Sequence, residues 1–437
     1  MSKAKNKKIH LVNVIVFCGI LLTGAVVSLA MKKQTVSEME NRKLAEFPTY
    51  SDSTFWKGKY FKGIEAWYAD NFPFRGFWIN QSGKFRSSLG FTSTDIKIYD
   101  AQNDAEANEK QDTTGVKDSL THGPLPDDGA TGEIKKRVFV FKKRAFEMFG
   151  GSPAMGKAYA NVINDYNRRL QPGIQVYNLI IPVALEFEIT EKYAKLQKPN
   201  RPAIESVYNA LDSNVKKVWA IDEIRKHREE YIYFNTDHHW TSLGAYYAYV
   251  AFCQTAGLTP VSLDTVPSKT KNSFLGSLYR LTRDPKLQSN PDSVRYYLFR
   301  DTVKFYIGAS NKIGYWAKSK MYGEGASGSN SYSVFLQGDL PIVKMETQHG
   351  NGRKIAIVKE SYGNAFAPFL VNNYEKVIVV DQRYYTGDFI AMLKAEGINE
   401  LLFINNIFAA HTPFHIDKIK NLKTGGGKAS ETKQVKK

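Results

Sequence analysis

From Gly150 onward, short apolar runs of strand length alternate with longer runs of helical period, and this rhythm limits the fold more than any other feature of the 437-residue chain. Met155, Tyr159, Val162, Ile163, Tyr166 and Leu170 recur at helical spacing and lead through Pro172-Gly173 to a strand at 174–181. A helix follows at about 203–215, a short strand at 231–234 and a helix at 242–256. After a polar, β-like excursion over about 262–350 the alternation resumes, with strands 355–358, 377–380 and 401–404 and helices 365–373 and 387–396. Strands apolar on both faces and separated by helices imply a parallel sheet covered on both sides. The expected fold is therefore α/β, a doubly wound parallel sheet with a smaller β-rich excursion. It spans 137–420 and begins with a strand at Arg137-Val138-Phe139-Val140-Phe141.

The flanking segments have other characters. Residues 1–33 hold Lys3, Lys5, Lys7 and Lys8 and then a charge-free apolar run from Leu11 to Met31. A run of about 20 apolar residues is long enough to span a bilayer. The lysines before it keep the N-terminus in the cytoplasm and place the main domain outside the cell membrane as a single-pass protein. Ser28-Leu29-Ala30 resembles a cleavage site, but the run is longer than a signal-peptide core, which favours an uncleaved anchor. Residues 34–99 are rich in aromatics, from Phe55 to Phe85, at spacings that suggest short packed helices. Residues 100–136 are polar and rich in Gly, Pro and Asp, a flexible loop. The basic tail, 421–437, is expected to be disordered.

The net charge is +17, yet lysines and arginines are dispersed and no nucleic-acid-binding signature is present. A basic extracellular protein is equally suited to an anionic cell wall or polysaccharide. Cys253 is the lone cysteine beyond the apolar run, so that part holds no intrachain disulfide, in keeping with a bacterial envelope.

Two segments carry chemistry. Thr236-Asp237-His238-His239-Trp240 follows the strand at 231–234, and Lys359-Glu360-Ser361-Tyr362-Gly363-Asn364 follows the strand at 355–358. Functional groups of an open parallel sheet gather beyond the carboxyl ends of its strands. A serine nucleophile needs a base and a group that orients the base. An imidazole titrates near neutrality, an aspartate can fix its tautomer, and the helix after Ser361 would aim free amide N–H groups at an oxyanion. Gly363 would permit a tight turn and the close approach of substrate. Each residue also has a plain structural use, Ser361 and Asp237 as helix caps and the histidine beside Trp240 as packing. Asp237, His238 and His239 could also bind zinc, although no further His or Cys has convincing spacing. No metal or cofactor is expected.

At these residues the chain resembles the DHHW family of bacterial envelope proteins and, more distantly, the SGNH-hydrolase-like proteins of alginate O-acetylation. The matching segments, in order, are Glu40-Asn41-Arg42, Asp70-Asn71-Phe72-Pro73-Phe74-Arg75, Asp237-His238-His239-Trp240, Phe274-Leu275-Gly276-Ser277-Leu278-Tyr279, Lys359 to Leu370, and Asp381-Gln382-Arg383-Tyr384-Tyr385. The resemblance implies an SGNH-like fold and a serine-dependent acyl-ester site of Asp237, His239 and Ser361. It implies substrate contacts at Arg383, Tyr384, Asn364 and Trp240. Glu360 stands where the pattern expects Asp, and Gly338-Asp339 where it expects Gly-Asn, so no oxyanion asparagine is assigned. The implied function is a membrane-anchored O-acetyltransferase or acetylesterase acting on a cell-surface polysaccharide. A membrane-bound O-acyltransferase would supply its acetyl groups. The alternative is a non-catalytic polysaccharide-binding or assembly protein on a degenerate hydrolase scaffold.

Overall fold

The computed structural model describes residues 15–17, 19, 36–37, 42–43, 45–73, 133–135, 138–170, 172–299, 303–310 and 312–424. Most of the apolar run at 11–31, the loop at 100–132 and the tail from 425 lie outside the described residues. No helix among the described residues is long and apolar enough to cross a membrane. The chain divides into two units, residues 1–94 and 95–437. In the first, β1 (Val36–Ser37) pairs with β2 (Arg42–Lys43), and helices span Asp52–Trp56 and Lys59–Asp70. Ser51 caps the first of these with a full capping box to Thr54. Phe47 packs edge-on against Trp67, and Phe55 lies tilted against Phe61, so the aromatics here serve one another.

The second unit is built on an eight-stranded mixed sheet. Five strands are parallel: β6 (Gln175–Ile181), β7 (Lys216–Val218), β13 (Lys354–Lys359), β14 (Lys376–Asp381) and β15 (Glu400–Asn406). Three more, β10 (Lys304–Gly308), β11 (Trp316–Ser319) and β12 (Ile342–Glu346), extend the sheet antiparallel from β14. The order across the sheet is β11-β10-β12-β14-β13-β15-β6-β7. The expected all-parallel sheet is thus corrected to a mixed one. Half of the "excursion" is not a separate piece, because Phe305, Val343 and Met345 are buried and complete the core's edge. What stays outside the sheet is the ribbon of β8 (Ser268–Phe274) and β9 (Asp292–Tyr297). The three-stranded meander of β3 (Glu133–Lys135), β4 (Val138–Phe141) and β5 (Arg144–Glu147) also stays outside it. Lys142 and Lys143 turn β4 into β5 with left-handed backbone.

The two faces of the sheet are covered by helices Pro153–Leu170, Asn200–Asn209, Ala220–Lys226, Ser242–Ala256 and Pro413–Asn421, whose inner residues join one continuous core. Three expectations fail locally. Residues 231–234 form no sheet strand, and only an isolated bridge joins Tyr233 to Trp240. The helix at 365–373 is one α-turn, Gly363–Phe366, followed by a 3₁₀ stretch to Asn372, since Pro368 interrupts the α-helical ladder. Residues 133–135, placed by sequence in the polar loop, are β3.

Parallel register sets Lys359 opposite Asp381 at the carboxyl ends of β13 and β14. Both are buried, and Lys359 Nζ donates to Asp381 Oδ2 at 2.7 Å. Removing one member leaves an uncompensated charge, whereas removing both need not. Asp381→Leu is therefore expected to lower unfolding free energy in urea by about 3–5 kcal/mol. Adding Lys359→Met should restore part of that loss, since Arg383 also loses its bonds to Asp381 and keeps only Asp339, and a double variant as unstable as the single one would contradict this account.

Candidate active site

Ser361 stands two residues beyond β13, at the middle of the sheet, with β14 and β15 on either side. Glu360 shapes this corner. Its buried carboxylate accepts from the Asn406 amide at the end of β15 (2.9 Å) and from the Tyr362 amide (3.1 Å). Burial pushes the Glu360 carboxyl up, against these hydrogen bonds and the Arg383 charge. A glutamate is long enough to reach β15, which is how the departure from aspartate is accommodated. A Cβ on Gly363 would come within 2.5 Å of Lys359 Cβ, so glycine here lets the turn close over β13 and does not serve substrate approach.

The base comes from a loop. Phe234 N–H donates to His239 O and Thr241 N–H to Ile232 O, which pinches 234–239 into a narrow projection. Asp292, buried at the start of β9, holds its neck. The Asp292 carboxylate accepts from the Tyr231 hydroxyl and the Asn235 amide on one oxygen, and from the Thr236 amide and hydroxyl on the other, at 2.5–2.8 Å. Gly276 lets the short helix Ser277–Thr282 abut the loop, since a Cβ there would lie 2.2 Å from Asp237 Cβ.

These supports bring the three sequence candidates into line. His239 Nδ1 donates to Asp237 Oδ1 at 2.6 Å, and His239 Nε2 lies 2.7 Å from Ser361 Oγ. Asp237 Oδ1 also accepts from the His239 amide (3.0 Å), and Oδ2 from the Ser277 amide (2.7 Å). Burial would raise the Asp237 carboxyl, but the His239 and His238 charges and these hydrogen bonds outweigh it and hold it well below the usual range. An ionised Asp237 fixes the proton of His239 on Nδ1 and leaves Nε2 to accept the serine proton. Tyr332 stacks on the imidazole at 3.9 Å and 8°, and its hydroxyl donates to Ser361 O at 3.1 Å, so one ring clamps base and nucleophile together.

The other candidates fall elsewhere. Trp240 is fully buried with Nε1 donating to Tyr362 O (3.0 Å), which makes it a strut behind the site and not a substrate contact. Arg383 spends its guanidinium on Asp381 (2.9 and 2.7 Å) and Asp339 (3.0 Å). Tyr384 is exposed beneath that guanidinium. Asn364 donates Nδ2 to Asp339 Oδ1 at 2.8 Å, and its buried Oδ1 has no partner among the described residues. The expected amide cradle is likewise occupied. The N–H groups of Tyr362, Gly363 and Asn364 go to Glu360 Oε2, Glu360 O and Ser361 O. Asp237, His238 and His239 do offer ligand atoms within 4.8 Å of one another. Both His239 nitrogens are nevertheless engaged, one with Asp237 and one with Ser361, and His238 Nδ1 meets Ser277 Oγ at 2.6 Å. The donor set fits a proton relay better than a metal centre.

Sequence reasoning passed over Asp292 and Tyr332, because an aspartate opening a strand and a tyrosine in a polar stretch have no local mark. Ser277 lies within the matching segment 274–279, where nothing in the sequence marks it as a partner of Asp237.

The family described as "DHHW protein" matches residues 40–96 and 103–380, a span that contains Asp237, His239 and Ser361. A solved DHHW family protein from Eubacterium siraeum is 32% identical, with TM-score 0.62, and the match covers 68% of this chain and 98% of that one. The chain belongs to the DHHW family. The DHHW fold extends to Bacillus cereus PatB1, at 18% identity and TM-score 0.54, over 66% of this chain and 99% of that one. A second PatB1 structure, with a sulfonyl adduct, matches at TM-score 0.53 and 18% identity, over 64% and 98% of the two chains. No curated protein matches.

Two outcomes test how the DHHW loop is held. Asparagine at 292 would turn an NH₂ group toward backbone and hydroxyl donors, so Asp292→Asn should cost about 2–4 kcal/mol in urea unfolding. A change below experimental error would remove Asp292 from this role. Asp237, with its folded pKa depressed, contributes stability that is full above the ordinary aspartate value of about 3.9 and fades as pH falls below it. The stability gap between wild type and Asp237→Asn should persist to that pH and narrow beneath it. A gap that closed well above it would contradict the assignment.

Proposed function

We propose that this protein is a serine-dependent O-acetyltransferase or acetylesterase acting on a cell-surface polysaccharide. The observation that carries the reading is the unbroken line Asp237–His239–Ser361, with both ring nitrogens within 2.7 Å of their partners. Ser361 Oγ attacks the acetyl donor while His239 Nε2 takes its proton, and Asp237 stabilises the imidazolium. The proton then passes to the departing alcohol, leaving acetyl on Ser361. A sugar hydroxyl or water attacks next, giving transfer or hydrolysis. The other functional elements of the proposal rest on sequence: the apolar run 11–31 as the membrane anchor, the main domain outside the cell, and a membrane-bound O-acyltransferase as the source of acetyl groups.

A non-catalytic polysaccharide-binding role is the second reading, favoured by one observation. The three amides after Ser361 are all engaged, and Arg383 is neutralised by Asp381 and Asp339. In the catalytic reading the Ser361 amide, which has no partner among the described residues, is the donor at hand for an oxyanion.

Hydrolysis of p-nitrophenyl acetate by the full chain in detergent separates the two. Ser361→Ala should lower the rate by about three orders of magnitude or more. Equal rates in the two proteins would end the catalytic reading. A sulfonyl electrophile captures activated serines, and a structure of PatB1 carries a sulfonyl adduct. With this chain, the mass increase should map to Ser361 and vanish in His239→Ala.

A further inference from the structure

The proton relay leaves one imidazole over, and it stands where a third metal ligand would. His238 packs its ring against that of His239, centroids 3.8 Å apart, yet its side chain is 27% exposed against 8% for His239. Asp237 Oδ1 faces both rings, 2.6 Å from His239 Nδ1 and 3.8 Å from His238 Nδ1. The Ser277 amide holds the other oxygen of that carboxylate at 2.7 Å, which keeps Oδ1 turned toward the imidazoles. Ser277 Oγ accepts from the His238 amide at 3.4 Å and meets His238 Nδ1 at 2.6 Å. The hydroxyl proton is then directed at Nδ1, so that nitrogen keeps its lone pair and the ring carries its proton on Nε2.

Two imidazoles and a carboxylate thus converge from three consecutive residues, one donor atom of each within 4.8 Å of the others. Zinc binds such ligands at about 2.0–2.2 Å in tetrahedral geometry, which sets the donors roughly 3.3 Å apart. The observed spacings of 2.6 and 3.8 Å bracket that value, so small rotations of the two rings would equalise them. Imidazole nitrogens suit zinc and its transition-metal neighbours, whereas magnesium and calcium take oxygen ligands.

Resting on the acyl-transfer reading above, we propose that Asp237, His238 and His239 form an inhibitory zinc site, in which the ion takes the place of the proton that the relay needs. In the relay, neutral His239 holds its proton on Nδ1 and accepts at Nε2. An ion on Nδ1 displaces that proton to solvent, and the ring takes one up at Nε2, so its net protonation is unchanged. Nε2, 2.7 Å from Ser361 Oγ, then donates to the hydroxyl and has no lone pair left to receive its proton. Asp237, bound to the ion, no longer orients the base. An aspartate–histidine pair alone is a poor zinc ligand set. His238, which the chemistry does not use, supplies the third protein ligand, and water completes the tetrahedron.

The test uses the full chain in detergent, without a histidine tag, and p-nitrophenyl acetate as substrate. The rate should fall as Zn²⁺ is added, recover with EDTA, and be indifferent to the same concentration of Mg²⁺. Removing even a group behind a metal ligand costs about ten- to a hundredfold in affinity, so His238→Gln should raise the half-inhibiting Zn²⁺ concentration at least about tenfold. A half-inhibiting concentration unmoved in His238→Gln overturns the site. Binding is also read without turnover. Ser361 is not a ligand, so Ser361→Ala should give the intense visible bands of four-coordinate Co²⁺, and Zn²⁺ should bleach them. Adding His238→Gln to that variant should abolish the bands. Their absence from Ser361→Ala overturns the site even where His238→Gln fails to fold. If wild type turns over no ester while the bands are present, the catalytic reading falls and the metal site stands.

Discussion

One buried carboxylate holds the catalytic half of this molecule in place. The loop 234–239 belongs to no sheet, so no strand ladder fixes where Asp237 and His239 stand. Asp292 supplies that fixity by taking four donors from the loop's neck, two of them backbone amides that would otherwise be buried without partners. A carboxylate suits the task because it only accepts, and so can satisfy several donors at once. Ser361, by contrast, is presented by the sheet itself, two residues beyond β13 and between β14 and β15. The site is therefore a join between a rigid edge and a tethered loop.

Electrostatics at that join are arranged so that charge stays where the chemistry needs it. Asp237 is kept ionised by the imidazoles and amides around it. Glu360, one residue from the nucleophile, is pushed toward its neutral form by burial and is occupied by two amides. It lies 3.3 Å from Ser361 Oγ, against 2.7 Å for His239 Nε2, so the shorter contact claims the serine proton. The neighbouring Lys359–Asp381–Arg383–Asp339 group is closed on itself. It braces the ends of β13 and β14 and contributes little net charge to the site.

The departures from expectation share one cause. Residues 231–234 have the composition of a strand, but they spend their backbone on a hairpin with 239–241. Trp240, Arg383 and Asn364 have chemistry that suits a substrate, but packing and charge pairing use them up. The antiparallel strands β10–β12 read as an excursion in sequence because their polar, alternating pattern fits an edge as well as a separate ribbon. Whether such a segment joins the main sheet depends on a free edge at β14, which lies far away in sequence.

What the sequence determined by itself was local and periodic: the alternation of strands and helices, the placement of Ser361 after β13, and the choice of Asp237 and His239 two positions apart. The first two follow from side-chain chemistry over a few residues and from the period of a strand or helix, whereas the choice of His239 over His238 rests on the resemblance to the DHHW and SGNH-like proteins. Tertiary structure alone decided which groups remain available. It left Nε2 of His239 for the serine, consumed the amides after Ser361, and recruited Asp292 and Tyr332. The reason is that hydrogen-bond and charge satisfaction are settled between partners tens to hundreds of residues apart, by a packing that no local pattern encodes.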